Sequence, residues 1–208
     1  MTDILLLILM ALCAFLLGSI PFSYWLPRLF LRRDVCADSD DGNPGAANAF
    51  KKAGIPMGIL CLVLDIAKGF VPVFLAVHFY GAERPLVAAV VFLPVLGHAV
   101  GIFRGFRGGK CISTSFGVLL GLIPRSFVVF LLAGLYIFFS IAVRIRPHAR
   151  RSALVFGLFA IGGGIILILQ HLPWIALGVV AVSMTVIYRH YRMAQTAEEA
   201  EAAKQPRE

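Results

Sequence analysis

The chain has 208 residues, of which 60% are hydrophobic and only 14% are charged. Soluble domains usually contain about 25% charged residues, so the composition excludes an ordinary soluble domain and predicts an all-α membrane protein. The net charge of +8 is typical of basic residues that lie beside anionic lipid headgroups. We therefore expect membrane lipids as neighbours and no nucleic-acid partner.

About seven apolar segments are predicted to cross the membrane, since a spanning helix needs ~20 mostly apolar residues. They lie at roughly 4–27, 55–79 and 85–103, and in pairs within the stretches 112–143 and 152–187. Pro124-Arg125 divides the first of these two stretches, and His171-Leu172-Pro173 divides the second. We predict one membrane domain over 1–192 and a polar cytoplasmic tail over 193–208, whose Ala/Glu-rich sequence extends the last helix.

The basic residues are distributed unequally between the two sides that seven helices create. Sixteen lysines and arginines lie in the loops of one side and in the C-terminal tail, whereas the other side has only Arg84 and Arg125. Short cytoplasmic loops are rich in lysine and arginine. The distribution therefore predicts an N-terminus outside and a C-terminus in the cytoplasm.

The first polar loop contains GNPGAAN at 42–48. Gly42 and Gly45 permit positive φ angles and a close approach of the backbone to a ligand. Successive backbone N–H groups in such a turn form an anion-binding nest. Gly-Asn-Pro-Gly is equally typical of an ordinary turn, and the residues of this loop alone do not decide between the two interpretations.

The second polar loop combines glycines with cations. Gly108 and Gly109 precede Lys110, and Arg107 lies before them. Flexible glycines beside a mobile point charge favour a phosphate-binding loop, although basic residues are also common on the cytoplasmic side. His98 lies near the same end of the third helix and is a candidate general base.

Two charged residues occur within the second predicted span. Asp65 and Lys68 are three residues apart and share one helix face, so we interpret them as an ion pair that faces the bundle interior, in preference to a catalytic pair. His190, at the end of the last helix, is either an interfacial residue or a ligand for an anion. No role is predicted for His78, His148 or His171. The four cysteines show neither disulfide nor metal spacing, so we predict no metal site.

Four motifs, in their order and spacing, resemble those of the bacterial acyl-phosphate:glycerol-3-phosphate acyltransferases, the PlsY family. They are GSIPF at 18–22, GNPGAAN at 42–48, DIAKG at 65–69, and GH at 97–98 followed by FRGGK at 106–110. The resemblance covers most of the chain. It implies a seven-helix protein of the bacterial inner membrane with an outside N-terminus and a cytoplasmic active site.

The resemblance also implies an activity, which is transfer of a fatty acyl group from acyl phosphate to the 1-hydroxyl of glycerol 3-phosphate in phospholipid synthesis, without a cofactor. Gly42, Asn43, Gly45 and Asn48 would then line a phosphate site. Gly108, Gly109 and Lys110 would hold a phosphate group and polarise the reacting carbonyl. His98 would orient or deprotonate the acceptor hydroxyl, and His190 would help to bind glycerol phosphate.

Several positions depart from the family pattern, mainly on the acceptor side. Asp41 replaces a serine, Lys51 an arginine, Cys111 the last glycine of GGKG, and Met193 an asparagine, while an S-x-x-S element is reduced to Ala149-Arg150-Arg151-Ser152. Lys51, Arg107 and Ser152 remain candidate substrate-binding residues. Asp41 is a candidate base for an alcohol, and its charge is expected to weaken the binding of glycerol 3-phosphate.

Two other functions remain compatible with the residues. One is acylation of a different polar alcohol or lipid headgroup, and the other is a non-catalytic membrane protein or a small-anion transporter. A transporter is expected to carry charged residues along a path through the membrane. The candidate residues here are instead grouped at one interface, which favours an enzyme.

Overall fold

The computed structural model describes residues 2–37, 39 and 42–202, except for the side chains of 197, 198 and 200–202. Within these residues the chain forms nine α-helices. They are α1 (Thr2–Ser19), α2 (Phe22–Leu31), α3 (Ala46–Ala53), α4 (Ile55–Tyr80), α5 (Val87–Val100), α6 (Ile112–Leu120), α7 (Val128–Ile137), α8 (His148–Leu169) and α9 (Pro173–Ala202). A 3₁₀ turn at Ile102–Arg104 follows α5, and a π-helical turn at Phe138–Ala142 continues α7. The prediction of an all-α fold is confirmed.

Five of the described helices have the length and apolar composition of membrane spans: α1, α4, α5 with its 3₁₀ turn, α8 and α9. The apolar helix at Val128–Ala142 is shorter. The nine residues of α6 extend about 14 Å, which is less than half of the ~30 Å hydrocarbon core. The prediction of seven spans therefore stays a prediction, because the structure provides five helices of full length.

The predicted helix over 4–27 is interrupted, so the expectation of one continuous segment is wrong. α1 ends at Ser19 and α2 begins at Phe22, on either side of Ile20-Pro21. Proline has no N–H and cannot complete the helical ladder. The Lys68 ammonium of α4 donates a hydrogen bond of 2.8 Å to the Ile20 carbonyl, which gives a partner to a backbone group at the break.

The predicted ion pair of α4 is confirmed, and it lies against the break between α1 and α2. Asp65 Oδ1 lies 2.8 Å from Lys68 Nζ, and both side chains are buried. The Ser23 hydroxyl of α2 donates a hydrogen bond of 2.6 Å to Asp65 Oδ2. Because each buried charge has close partners, the pair can lie inside the bundle at a tolerable desolvation cost.

Two glycines allow α1 and α5 to cross in direct backbone contact. A Cβ atom added at Gly18 would lie 2.1 Å from the Pro94 carbonyl oxygen, and one at Gly97 would lie 2.1 Å from the Phe15 carbonyl oxygen. Small residues at helix crossings are typical of membrane bundles, where close packing drives association. This crossing places His98, the residue after Gly97, against the end of α1.

The core of the bundle lies where α5 packs on α1 and on α9, where α4 packs on α6, and where α8 packs on α9. Its largest fully buried side chains include Phe156, Phe159 and Leu167, all on α8. Other large apolar side chains face outward, among them Leu169, which is 73% exposed, and Ile161, which is 66% exposed. Such outward-facing apolar surface is unfavourable in water and suits contact with lipid.

Candidate active site

A cavity of about 290 Å³ opens among the helices from α3 to α9. Eight of the predicted site residues line it: Asn43, Gly45, Asn48, Lys51, His98, Lys110, Ser152 and His190. A wider groove of about 810 Å³, lined by Arg144 and Arg146 among others, lies beside it and shares His148 and Arg151 with it. The structure therefore brings most of the predicted residues together, although they are spread over about 150 positions of the chain.

The first loop reaches the cavity through the start of α3. The Asn48 side-chain amide donates to the Asn43 carbonyl at 2.9 Å, and the Gly45 N–H donates to the same oxygen at 2.9 Å. A Cβ atom at Gly45 would lie 2.5 Å from Asn43 Nδ2, so a larger residue there would displace the Asn43 side chain. Gly42 has a φ of +58°, but it is exposed and lies outside the wall of this cavity.

The second loop packs directly on His98. The Gly109 N–H donates to the His98 carbonyl at 3.0 Å. A Cβ atom at Gly109 would lie 2.3 Å from His98 Nε2, and one at Gly108 would lie 2.1 Å from the Ala99 carbonyl oxygen. Both glycines and Arg107 line a small pocket on the other side of His98, not the main cavity. The glycine pair thus permits contact between this loop and the imidazole.

We expect Gly109→Ala to reduce turnover at least tenfold, because the added methyl group must displace His98, and misplaced catalytic groups cost about a hundredfold for an ångström. The control is Gly157→Ala on α8, where no atom lies within 4 Å of an added Cβ. Turnover and thermal unfolding of both variants provide the measurement. Equal activity of the two would contradict a role for this contact.

Three basic residues that line or support the cavity were not among the predicted site residues. His148 and Arg151 line it from the start of α8, and the two side chains contact each other. Arg189 of α9 donates hydrogen bonds to the carbonyls of Gly108 and Gly109. Arginines are common near helix ends on the side that is predicted to be cytoplasmic, so the sequence contained no signal beyond proximity to Ser152 and His190.

Cys111 occupies the position where the resemblance predicts a glycine, and its backbone explains that preference. Its φ is +68°, a region in which a non-glycine residue is strained by roughly 1–2 kcal/mol. The thiol is buried and donates toward the carbonyls of Val95 at 3.6 Å and Gly109 at 3.4 Å. Burial raises the pKa of the Cys111 thiol to about 12, so the neutral thiol is inert as a nucleophile at pH 7.

The charges that the structure describes around the cavity are mainly positive. Lys51, Lys110 and Arg151 line it, and its carboxylate, Asp65, already pairs with Lys68. The predicted base Asp41 lies outside the described residues. Within those residues, no group of three histidine, cysteine or acidic side chains is arranged to hold a metal ion. Fold and site together define a helical bundle with lipid-facing surfaces and a cationic cavity suited to phosphorylated ligands.

Comparison with known proteins gives the family. The sequence pattern of the family described as glycerol-3-phosphate acyltransferase matches residues 8–197. A glycerol-3-phosphate acyltransferase of Listeria monocytogenes serotype 4a is 33% identical over 186 residues, which cover 88% of this chain and 89% of the relative. One of Lactococcus lactis subsp. cremoris is 31% identical over 194 residues, covering 89% and 87%.

Solved structures agree with the sequence comparison. The crystal structure of PlsY (YgiH), an integral membrane glycerol 3-phosphate acyltransferase, in its lysophosphatidic acid form has a TM-score of 0.73 and 26% identity, covering 97% of this chain and 94% of that one. Its glycerol 3-phosphate form has a TM-score of 0.75 and 25% identity, covering 97% and 95%. The chain belongs to the PlsY family of integral-membrane glycerol-3-phosphate acyltransferases.

Proposed function

We propose that this protein transfers a fatty acyl group from acyl phosphate to the 1-hydroxyl of glycerol 3-phosphate. The hydroxyl oxygen forms a bond to the acyl carbon, and the bond from that carbon to the phosphate oxygen breaks. The proton of the hydroxyl ends on the released phosphate, so the products are lysophosphatidate and inorganic phosphate. The observation that carries the proposal is the cavity itself. It gathers residues of the loop at 43–48, His98 and His190 beside three cationic side chains, which are Lys51, Lys110 and Arg151.

The cations match the charges of the two substrates. Acyl phosphate and glycerol 3-phosphate each bring a phosphate group, and like charges repel strongly where water is scarce. Lys51, Lys110 and Arg151 offset this repulsion from three different elements. The start of α3 adds backbone N–H groups, which favour anions at a helix N-terminus. Asn43 and Asn48 then orient one phosphate group.

The chemistry requires positioning more than covalent participation by the protein. Phosphate is a good leaving group, so alignment of the hydroxyl with the carbonyl and stabilisation of developing negative charge supply most of the barrier lowering. We assign to Lys110 the stabilisation of the negative charge that develops on the donor. We assign to His98 the orientation or deprotonation of the acceptor hydroxyl. His190 and Ser152 also line the cavity, and we assign them to binding the glycerol phosphate.

The cavity is small for the complete donor. Its volume of about 290 Å³ is at the lower limit of the ~300–1,000 Å³ that small-molecule sites usually occupy. The two headgroups can therefore occupy it, while the alkyl chain lies outside, along the lipid-facing surface of the bundle. Membrane lipids are the natural environment of that chain.

The two alternative functions have less support. Transport would require charged residues along a path through the bundle, whereas Asp65 and Lys68 are already engaged with each other, with the Ser23 hydroxyl and with the Ile20 carbonyl. A different acceptor would be favoured by the acidic residue Asp41, but the family comparison favours glycerol 3-phosphate.

The deciding experiment measures phosphate release by the purified protein in detergent micelles. A long-chain acyl phosphate is supplied with glycerol 3-phosphate, glycerol or water, and the lipid product is identified by mass. We expect lysophosphatidate with glycerol 3-phosphate only, and no product when acyl-CoA replaces acyl phosphate. Equal use of acyl-CoA would contradict the proposed donor, and preference for glycerol would contradict the proposed acceptor.

The proposal includes the orientation in the bacterial inner membrane. The N-terminus lies outside, and the cavity and the tail after residue 192 face the cytoplasm, as the basic residues indicate. In a Cys13→Ala background the remaining native cysteines are buried, and Arg84→Cys and Arg150→Cys each add one thiol at an exposed position. We expect an impermeant thiol reagent to label Arg84→Cys in intact spheroplasts and Arg150→Cys only after lysis. Labelling of both in intact cells would contradict this orientation.

A further inference from the structure

Arg189 connects the end of α9 to the glycine loop across 80 positions of the chain. Its guanidinium, which is partly buried, donates from Nε to the Gly109 carbonyl at 3.1 Å and from a terminal nitrogen to the Gly108 carbonyl. Two hydrogen bonds from one planar group to successive carbonyls restrict the loop more than either bond alone. Glycine has little conformational preference of its own, so an external restraint on these two residues has a large effect.

These contacts determine the direction of the neighbouring peptide groups. In a planar trans peptide, the C=O and the following N–H point in opposite directions. The Gly108 carbonyl faces Arg189, and the Gly109 N–H accordingly faces His98 and donates to its carbonyl at 3.0 Å. The Gly109 carbonyl also faces Arg189, and this contact orients the peptide group between Gly109 and Lys110.

We propose that Arg189 is a positioning residue, whose guanidinium clamps the two glycine carbonyls and thereby holds Lys110 and His98 in register with His190. His190 follows Arg189 directly on α9 and lines the cavity together with His98 and Lys110. Two adjacent residues of α9 thus serve both substrates of the proposed reaction. Arg189 holds the loop that carries Lys110, which is assigned to the acyl phosphate, and His190 is assigned to glycerol phosphate. This inference rests on the proposed function.

The geometry distinguishes this role from a general preference for basic residues near the cytoplasm. Arg192 lies one turn further along α9 and is exposed, as expected for a residue beside lipid headgroups. A lysine at 189 would keep the charge, but its ammonium is a point charge that lacks the planar fork of the guanidinium. The role therefore requires arginine in particular, not merely a positive charge.

The experiment compares Arg189→Lys, Arg189→Ala and the matched control Arg192→Ala, each assayed for kcat, KM and thermal unfolding. We expect Arg189→Ala to lower kcat about a hundredfold, the loss typical of a misplaced catalytic group, while KM for glycerol 3-phosphate changes by less than about threefold. Arg189→Lys should remain similarly impaired although it unfolds at the wild-type temperature. Arg192→Ala should match the wild type.

Chemical rescue separates positioning from stability. Millimolar methylguanidinium should restore part of kcat in Arg189→Ala and nothing in Lys110→Ala, because only the former leaves a site for the added ion. Wild-type kcat in Arg189→Lys overturns the inference, and so does a loss in Arg189→Ala that follows the folded fraction and resists rescue. A wild-type protein without turnover would instead contradict the proposed function.

Discussion

Lys110→Ala is expected to reduce kcat by about 10²–10³, which corresponds to the roughly 2.7–4 kcal/mol lost when one donor to a developing oxyanion is removed. Lys110 lines the cavity beside His98 and the loop at 43–48. In the proposed reaction, negative charge grows on the acyl oxygen and on the departing phosphate. A cation placed at that point stabilises the transition state more than the ground state.

The size of the fall in kcat should distinguish Lys110 from a lysine that lies near the cavity without lining it. Lys52→Ala is the matched control, because Lys52 lies on α3 next to Lys51 but does not line the cavity. We expect near-normal kcat for Lys52→Ala and a lower kcat for Lys110→Ala at saturating acyl phosphate. If Lys110→Ala raised only KM, Lys110 would contribute to ground-state binding alone, and its assignment to the transition state would be wrong.

Asp65→Ala is expected to destabilise the protein by about 3–5 kcal/mol, the cost of leaving one charge of a buried pair without its partner. The loss should be large because Lys68 is almost fully buried, with a side chain only 2% exposed. The remaining ammonium would keep its bond to the Ile20 carbonyl and lose its counter-ion. Thermal unfolding in micelles and the yield of folded protein provide the measurement.

A second variant and a control make this prediction specific. Asp65→Leu combined with Lys68→Met removes both charges and should recover much of the stability, since apolar replacement of a buried pair is often neutral or stabilising. Asp3→Ala breaks the exposed pair of Asp3 with Arg84, whose atoms lie 3.2 Å apart, and should cost less than about 1 kcal/mol. An Asp65→Ala variant as stable as Asp3→Ala would show that the buried pair does not hold the break in place.

The helical architecture was largely predictable because hydropathy is a local property. The second predicted span, 55–79, corresponds to α4 at Ile55–Tyr80, and α9 begins at Pro173, where a break was predicted. Proline alone was a poor guide elsewhere. Pro72 and Pro94 lie inside helices, whereas Pro21 separates two. Whether a proline ends a helix depends on which groups satisfy the freed carbonyls, and the Lys68 ammonium at Ile20 is such a group.

The sequence by itself determined the residue types of the site, because glycine, asparagine, lysine and histidine carry their chemistry wherever they lie. Four motifs in a specific order indicated that Asn43, His98 and Lys110 belong together, and the family resemblance that those motifs carry added His190. Only the tertiary structure decided that Arg189 holds the glycine loop. The physical reason is that this contact joins side chains and carbonyls 80 residues apart, and their proximity follows from how α5 packs on α9, a property of the whole bundle that no local pattern encodes.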